Sequence, residues 1–319
     1  MRLWKASSLP SRLHNKIGEQ MTDGAADWLV TTGRGHRPTL RWSFSVDAPL
    51  TDLRMSRETG EVLAADQSGG LYLLDRRGQV QALTRTRHSV QKLAWSDTGT
   101  VGAAVLDDHL VGWFDRRLQF QWTRDLPDEI LSIAVDPYGT HVAVGQADGV
   151  NVIYSQSNKK VCRFETARPL RHLQFLANSM ELLVASEYGF TGRYTLAGAP
   201  VWTSKLWSTV GDVAATGDGK SMFLAGFAQG IQAFDGKTGN TRGTFVCDGT
   251  VGLVTCGFAK CKIVAYTLER TLFSVDDAGN PEWNVTAPED ILRIILSPLA
   301  DFMICGFSSG RIMRFDLNS

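Results

Sequence analysis

Little in this 319-residue chain is present in excess. Thirty-three Lys and Arg residues face thirty-three Asp and Glu residues, so no global field draws the chain onto nucleic acid or an anionic membrane. The first twenty residues, MRLWKASSLPSRLHNKIGEQ, lack the continuous apolar stretch of a signal peptide, and no later run reaches transmembrane length. A cytoplasmic protein with no membrane span is expected. Cysteine is scarce: Cys162, Cys247, Cys256, Cys261 and Cys305 are an odd number with none in the first half, which excludes a disulfide framework. Cys256 and Cys261 are spaced as a zinc pair could be, but no second Cys or His pair lies near them, and no metal site is expected. The six histidines, His14, His36, His88, His109, His141 and His172, are scattered and form no pair of that kind either. A Walker-type phosphate loop, a His-Glu-x-x-His and a Gly-x-Ser-x-Gly elbow are all missing. Catalytic residues and cofactors are therefore not expected.

What the chain does contain is repetition. With 43% hydrophobic and 21% charged residues it can bury a sizeable core, and that core is written seven times. The segments beginning at Leu50, Val90, Ile130, Leu170, Val210, Val251 and Ile291 align over their whole length and advance by 40, 40, 40, 40, 41 and 40 residues. Their closing positions, Asp75, Asp115, Ser155, Thr195, Asp235, Asp276 and Asp316, keep the same steps. Each unit holds three short apolar runs parted by turn residues, as in ILSIAV, DPYG, HVAVG, QADG and VNVIY, and a fourth run follows, as in FQWTRDL or PEWNVTA. The runs of Val, Ile, Leu and Ala are nearly continuous, as expected of strands buried on both faces, and Gly60, Gly99, Gly139 and Gly219 mark tight hairpins. Four strands per unit of about 40 residues predict an all-β, seven-bladed propeller of four-stranded blades.

On these residues the chain resembles the WD-repeat and quinoprotein-like propeller families. DPYGTHVAVGQADGVNVIY follows the WD-repeat pattern, whereas FDGKTGN and the tryptophans Trp122, Trp202 and Trp283, each seven residues past a closing position, are similar to the quinoprotein-type repeat. The resemblance covers roughly residues 39 to 316. It departs from a strict WD repeat in replacing Trp-Asp by FD, LD or VD and in lacking the Gly-His pair before each blade. Quinoprotein dehydrogenases of this kind are exported, longer and commonly eight-bladed, with a cofactor and calcium above the ring. The related outer-membrane assembly lipoproteins need a lipid-bearing N-terminal Cys. This chain has seven units, no export signal and its first Cys at Cys162, so neither role is expected.

The last unit ends three residues beyond Asp316, after its third strand, while TLRWSFSVD at the other end of the chain has the fourth-strand pattern, with Trp42 in the place of Trp122 and Trp283. Ring closure is expected, with residues 39–47 supplying the outer strand of the seventh blade and tying the ends together. Residues 39–319 then form the propeller and residues 1–38 an arm.

Three places could carry function. Two residues past each blade's first apolar anchor stand Asp52, Lys92, Ser132, His172, Asp212, Leu253 and Arg293, six of them polar on strands that are otherwise apolar. If they point to the axis they form a ring of mixed charge, serving either a water-filled channel with mutually paired charges or a small polar ligand. The loops before each first strand and between the second and third strands should share one face. Their partner-binding candidates are Arg87, His88, Asp108, His109, Arg168, Tyr188, Trp207 and Arg270. Trp207 stands out, since its equivalents include Arg87, Pro127, Ala167 and Pro288; it either anchors a partner or packs back on Leu206. Trp95 and Trp113 replace Phe or Leu of other units and are read as core.

The arm is the third place. Residues 1–41 carry seven basic and three acidic residues. Leu9, Leu13, Ile17 and Met21, after Ser7 and Ser8, suggest a short amphipathic helix, and TTGRGHRP a basic flexible linker in which Arg34 and Arg37 could contact phosphate. The leading expectation is a non-catalytic scaffold that presents its loop-bearing face to a protein partner, as a monomer or within a complex. The alternatives are a ligand-binding or enzymatic propeller using the channel and a nucleic-acid-associated protein using the arm, with nucleic acid the less favoured partner.

Overall fold

A computed structural model of the chain describes residues 27–258 and 262–317. The seven repeats form seven antiparallel blades. In the first blade, Leu50–Met55 lines the ring, Val62–Asp66 and Gly70–Leu74 follow, and Val80–Arg85 lies outermost. The two middle strands are buried at every residue, because neighbouring blades cover both their faces, and this explains their unbroken apolar runs. The outer strand has only one face against a neighbour and alternates between exposed and half-buried residues along positions 82–85. Blade-to-blade packing forms the core. Within the second blade Trp95 stacks on Phe114 at 6.0 Å and Trp113 on its cross-strand neighbour Trp122 at 5.9 Å, and both Trp95 and Trp113 are buried.

The closing residue of each repeat has a local task. Asp75 Oδ1 accepts the backbone N–H of Arg77 and Gln79, Asp115 Oδ1 those of Arg117 and Gln119, and Asp276 Oδ1 those of Ala278 and Asn280. Each carboxylate thereby satisfies the turn into the fourth strand, a role that Ser155 and Thr195 fill through their hydroxyls. The outer-strand tryptophans staple one blade to the next. Trp42, Trp122 and Trp202 donate Nε1–H to the carbonyls of Arg76, Gln156 and Gly236, each just past the following blade's closing residue, at 2.9–3.0 Å. Gly78 and Gly239 lie against the Trp42 and Trp202 rings with φ of 77° and 73°, so a side chain there would meet both a left-handed backbone and an indole.

Closure follows the expected route. Thr39–Ser45 pairs antiparallel with Arg311–Asp316, from Thr39 opposite Asp316 to Ser45 opposite Arg311, and completes the seventh blade. The staple from Trp42 to Arg76 then links this strand to the first blade.

The expected flexible linker is not what residues 31–38 form. Asp27–Thr32 is a short helix, and Arg34–Gly35 adds a fifth strand to the sixth blade opposite Asn284 and Trp283. Tertiary contacts impose this order where the local sequence does not. Leu29 is buried, Trp28 meets Phe307 and Phe315 edge-on at 6.4 and 5.8 Å, and Thr32 Oγ1 accepts the Thr286 N–H at 2.9 Å. The amphipathic pattern of Leu9, Leu13, Ile17 and Met21 lies outside the described residues, as does Cys261.

Candidate functional site

The ring encloses a cavity of about 550 Å³. Its lining is set by a bulge repeated in every blade. Pairing of the first and second strands shifts after the first residue, between Leu50 and Asp52, Val90 and Lys92, and likewise through Ile291 and Arg293. The extra residue turns the next side chain toward the axis. Lys92, Ser132, His172, Asp212 and Arg293 line the cavity, whereas Asp52 is fully buried behind Arg54 and Arg293.

Asp52 joins three blades. Its Oδ1 accepts from Arg293 Nε of the seventh blade at 2.7 Å and from its neighbour's Leu53 N–H at 2.9 Å. Its Oδ2 accepts from the Leu93 N–H of the second blade at 2.7 Å and pairs with Arg54 Nη2 at 3.2 Å. Burial pushes the Asp52 carboxyl up, but Arg293, Arg54 and the two N–H groups outweigh it and hold the group below its ordinary value. Arg293 is raised in return by Asp52. Arg54 is lowered by burial, against the pull of Asp52 and with the repulsion of Arg293.

Asp212, four repeats on, makes the same two backbone contacts, to the N–H of Val213 at 2.9 Å and of Val254 at 3.3 Å, but has no cation within ion-pair distance among the described residues. Burial raises its carboxyl above the ordinary value despite Arg293. Burial, followed by Arg293, pushes His172 down to about 4, so its imidazole is neutral at physiological pH. Lys92 is lowered by burial and by the repulsion of Arg293, Arg171 and Arg54, against the pull of Asp52. Arg54 is a cavity residue that a scan of single repeat positions misses; it lies two residues past Asp52 on the same strand face, where period-two alternation would place it.

One end of the cavity opens among Glu187, Thr209 and Phe227. At the other end Arg57 lies over the Phe258 ring at 5.7 Å and pairs with Asp97 at 2.7 Å, narrowing the passage.

The open end is the loop-bearing face. In blade after blade the hairpin between the second and third strands donates to the loop before the first, as in Gln67 to Pro49, Ala147 to Glu129, Phe227 to Thr209 and Leu268 to Thr250. On the first to third and seventh blades this face is polar. His88 pairs with Asp107, Asp108 and His109 are exposed, and Arg87 lies in an exposed loop; Arg168 is exposed in the loop that leads into the fourth blade, at the border of this sector. Asp290 of the seventh blade's loop holds Arg270 at 2.8 Å. On the fourth to sixth blades it is apolar. Tyr188, Trp207, Phe227, Val246 and Leu268 are five of the twelve exposed large hydrophobic residues described, and Trp207 is 76% exposed. Trp207 therefore does not pack back on Leu206, which is itself buried.

The loops of Tyr188, Trp207 and Phe227 are joined through the backbone. Tyr188 bridges to Thr209, two residues past Trp207, and Phe227 donates to Thr209. The bulge residues Gly211 and Gly252 bring the fifth and sixth blades into close approach. A Cβ on Gly211 would lie inside contact distance of the Gly252 carbonyl and 2.7 Å from Phe227, and one on Gly252 would meet Leu268 at 3.1 Å. Phe227 and Leu268 occupy the repeat position held elsewhere by Gln67, Asp107, Ala147, Glu187 and Ser308. Comparison down that column, rather than a search for charged loops, identifies them.

Among the described residues no three His, Cys, Asp or Glu side chains are placed to hold a metal, and no helix is long and apolar enough to cross a membrane. No family model matches the chain, and no curated protein matches it.

Proposed function

We propose that the chain is a non-catalytic, WD-repeat-like scaffold that binds a protein partner through the apolar sector of its loop-bearing face. The observation that carries this reading is the confinement of Tyr188, Trp207, Phe227, Val246 and Leu268 to adjoining loops of three consecutive blades. On that face the other four blades present no exposed large hydrophobic residue among those described. Isolated exposed apolar residues are ordinary on a protein surface, but a contiguous cluster headed by Trp and Tyr has the composition of an interface centre. The partner would contribute apolar side chains to meet it, with Glu187, Asp248 and Glu269 forming a polar rim. The sequence motifs of the common hydrolases and nucleotide-binding enzymes are missing, which supports a binding role over a catalytic one.

Affinity purification of the tagged chain, followed by mass spectrometry, tests this reading against two variants. Trp207→Ala with Leu268→Ser should abolish recovery of the specific partner while circular dichroism stays unchanged. Arg87→Ala with His88→Ala, on the polar sector, should leave recovery intact. Full recovery with the first variant, or loss with the second alone, refutes the assignment.

A further inference from the structure

The cations of the cavity outnumber the anions able to neutralise them. Arg54 and Arg293 share the single carboxylate of Asp52. Arg171 at the mouth is matched by Glu187 at 3.0 Å, and Arg57 at the far end by Asp97. Among the described residues Lys92, which lines the cavity, has no hydrogen bond or ion pair, and Nη2 of Arg293 is likewise without a partner, its Nε and Nη1 being taken by Asp52 and the Leu292 carbonyl. The remaining acid, Asp212, faces them without an ion pair. The sum over Arg54, Arg293, Lys92 and Asp52 is two uncompensated positive charges, and Asp212 offsets one of them only when ionised.

These groups come from the seventh, first and second blades and crowd one another. The repulsion that Arg54, Arg171 and Arg293 exert on Lys92 is offset within the chain only in part, by Asp52. Like charges held together in a low-dielectric ring are costly unless an opposite charge joins them. Arg54 and Arg293 keep 35% and 32% of their side chains open to the lumen, so their guanidinium groups are accessible to a molecule inside it. Two residues further along the same strands the lining is small or apolar in four blades, at Ala94, Ala134, Ala214 and Ile295, and polar in the other three, at Arg54, Gln174 and Thr255. A cavity of about 550 Å³ has the size of a small-molecule site and exceeds what a bare inorganic ion fills.

We infer that this cavity binds a small phosphate monoester, with the phosphate between Lys92 Nζ and Arg293 Nη2 and the organic body against the Ala94, Ala134 and Ala214 tier. A phosphate monoester is close to doubly charged at neutral pH, matching the two uncompensated cations, and its oxygens point in several directions at once, as donors from different blades require. Asp212 opposes the phosphate, which gives the proposal a test with two opposite signs.

The probes are inorganic phosphate and phenyl phosphate, titrated into the full chain by calorimetry at constant ionic strength, with thermal unfolding in parallel. Both should bind and raise the melting temperature beyond the effect of sodium chloride, and phenyl phosphate should bind the tighter. Lys92→Gln, which removes a group without partners and should fold normally, is expected to weaken both by tenfold or more. Asp212→Asn, which keeps an acceptor for the Val213 N–H and gives up only the longer contact from the Val254 N–H, should tighten both several-fold. Succinate should bind at least tenfold more weakly than phenyl phosphate. No response to phosphate beyond that to chloride, unchanged binding by Lys92→Gln, weaker binding by Asp212→Asn, or equal binding of succinate overturns the assignment.

Discussion

Replacing Asp52 by Asn should destabilise the ring by about 3 kcal/mol, whereas the same change at Asp212 should cost almost nothing. The two carboxylates occupy equivalent repeat positions and accept equivalent backbone N–H groups, so they differ mainly in their cations. Asp52 is fully buried and bound by Arg293 and Arg54; the Asp52→Asn change turns one carboxylate oxygen into an NH₂ that faces donors. Breaking a buried ion pair from one side costs roughly 3–5 kcal/mol. The lower end applies because both arginines retain about a third of their side-chain exposure and lumen water can solvate them. At Asp212 burial already disfavours the charged form, so the neutral amide removes a penalty as it removes an acceptor. Urea unfolding at neutral pH, followed by both tryptophan fluorescence and far-ultraviolet circular dichroism, measures the two changes on one scale. Equal losses at the two positions would refute the claim that the arginines, and not the shared backbone contacts, set the stabilisation.

His172, lowered from 6.5 to about 4 in the fold, should make the chain acid-sensitive. Between these values the unfolded state takes up a proton that the folded state refuses, so stability falls as pH drops from 6.5 to about 4, by about 3 kcal/mol if nothing opposes it. Asp212, shifted upward, opposes this in the lower part of the window, so the measurement is the difference between wild type and His172→Gln across a pH series of urea melts; identical slopes would contradict it. Trp42→Ala removes the hydrogen bond to the Arg76 carbonyl and the ring against Gly78, and should cost about 2 kcal/mol for a half-buried aromatic. Amide exchange should then quicken first in Thr39–Ser45 and Arg311–Asp316; a uniform rise across all blades would argue against a local closure seam.

Much of this molecule was legible in its repeats because a propeller blade is built from short-range signals. The closing Asp serves a turn within its own blade, and the near-continuous Val, Ile and Leu runs report strands covered on both faces, so both survive as patterns in one sequence. The seventh blade's closure was legible for the same reason, since TLRWSFS carries the fourth-strand pattern without its neighbours. The segment 27–35 was not. A six-residue helix is too short to show a period, and a two-residue strand takes its register from Trp283 and Asn284, some 250 positions away. Arg54 and the apolar residues Phe227, Val246 and Leu268 were hidden for another reason: each is ordinary in its own loop or strand and becomes informative only against its six counterparts.

Repetition therefore supplies an internal control that a non-repeating fold lacks. Residues that recur from unit to unit, such as the turn acid of five blades and the middle-strand aliphatics, are accounted for by the blade itself. Residues that break the pattern at one backbone position need a separate cause. At the inward bulge position the chain has Asp, Lys, Ser, His, Asp, Leu and Arg, and at the hairpin position Gln, Asp, Ala, Glu, Phe, Leu and Ser. Stability gives no reason for an unpaired Lys92 in the first set or for an exposed Phe227 and Leu268 in the second; a lysine without a counter-ion and apolar side chains in water each cost the isolated ring free energy. The two departures meet at one opening, because Phe227 belongs both to the cavity lining and to the apolar sector around its mouth. That coincidence puts both proposed sites on one end of the axis, opposite the end narrowed by Arg57, Asp97 and Phe258.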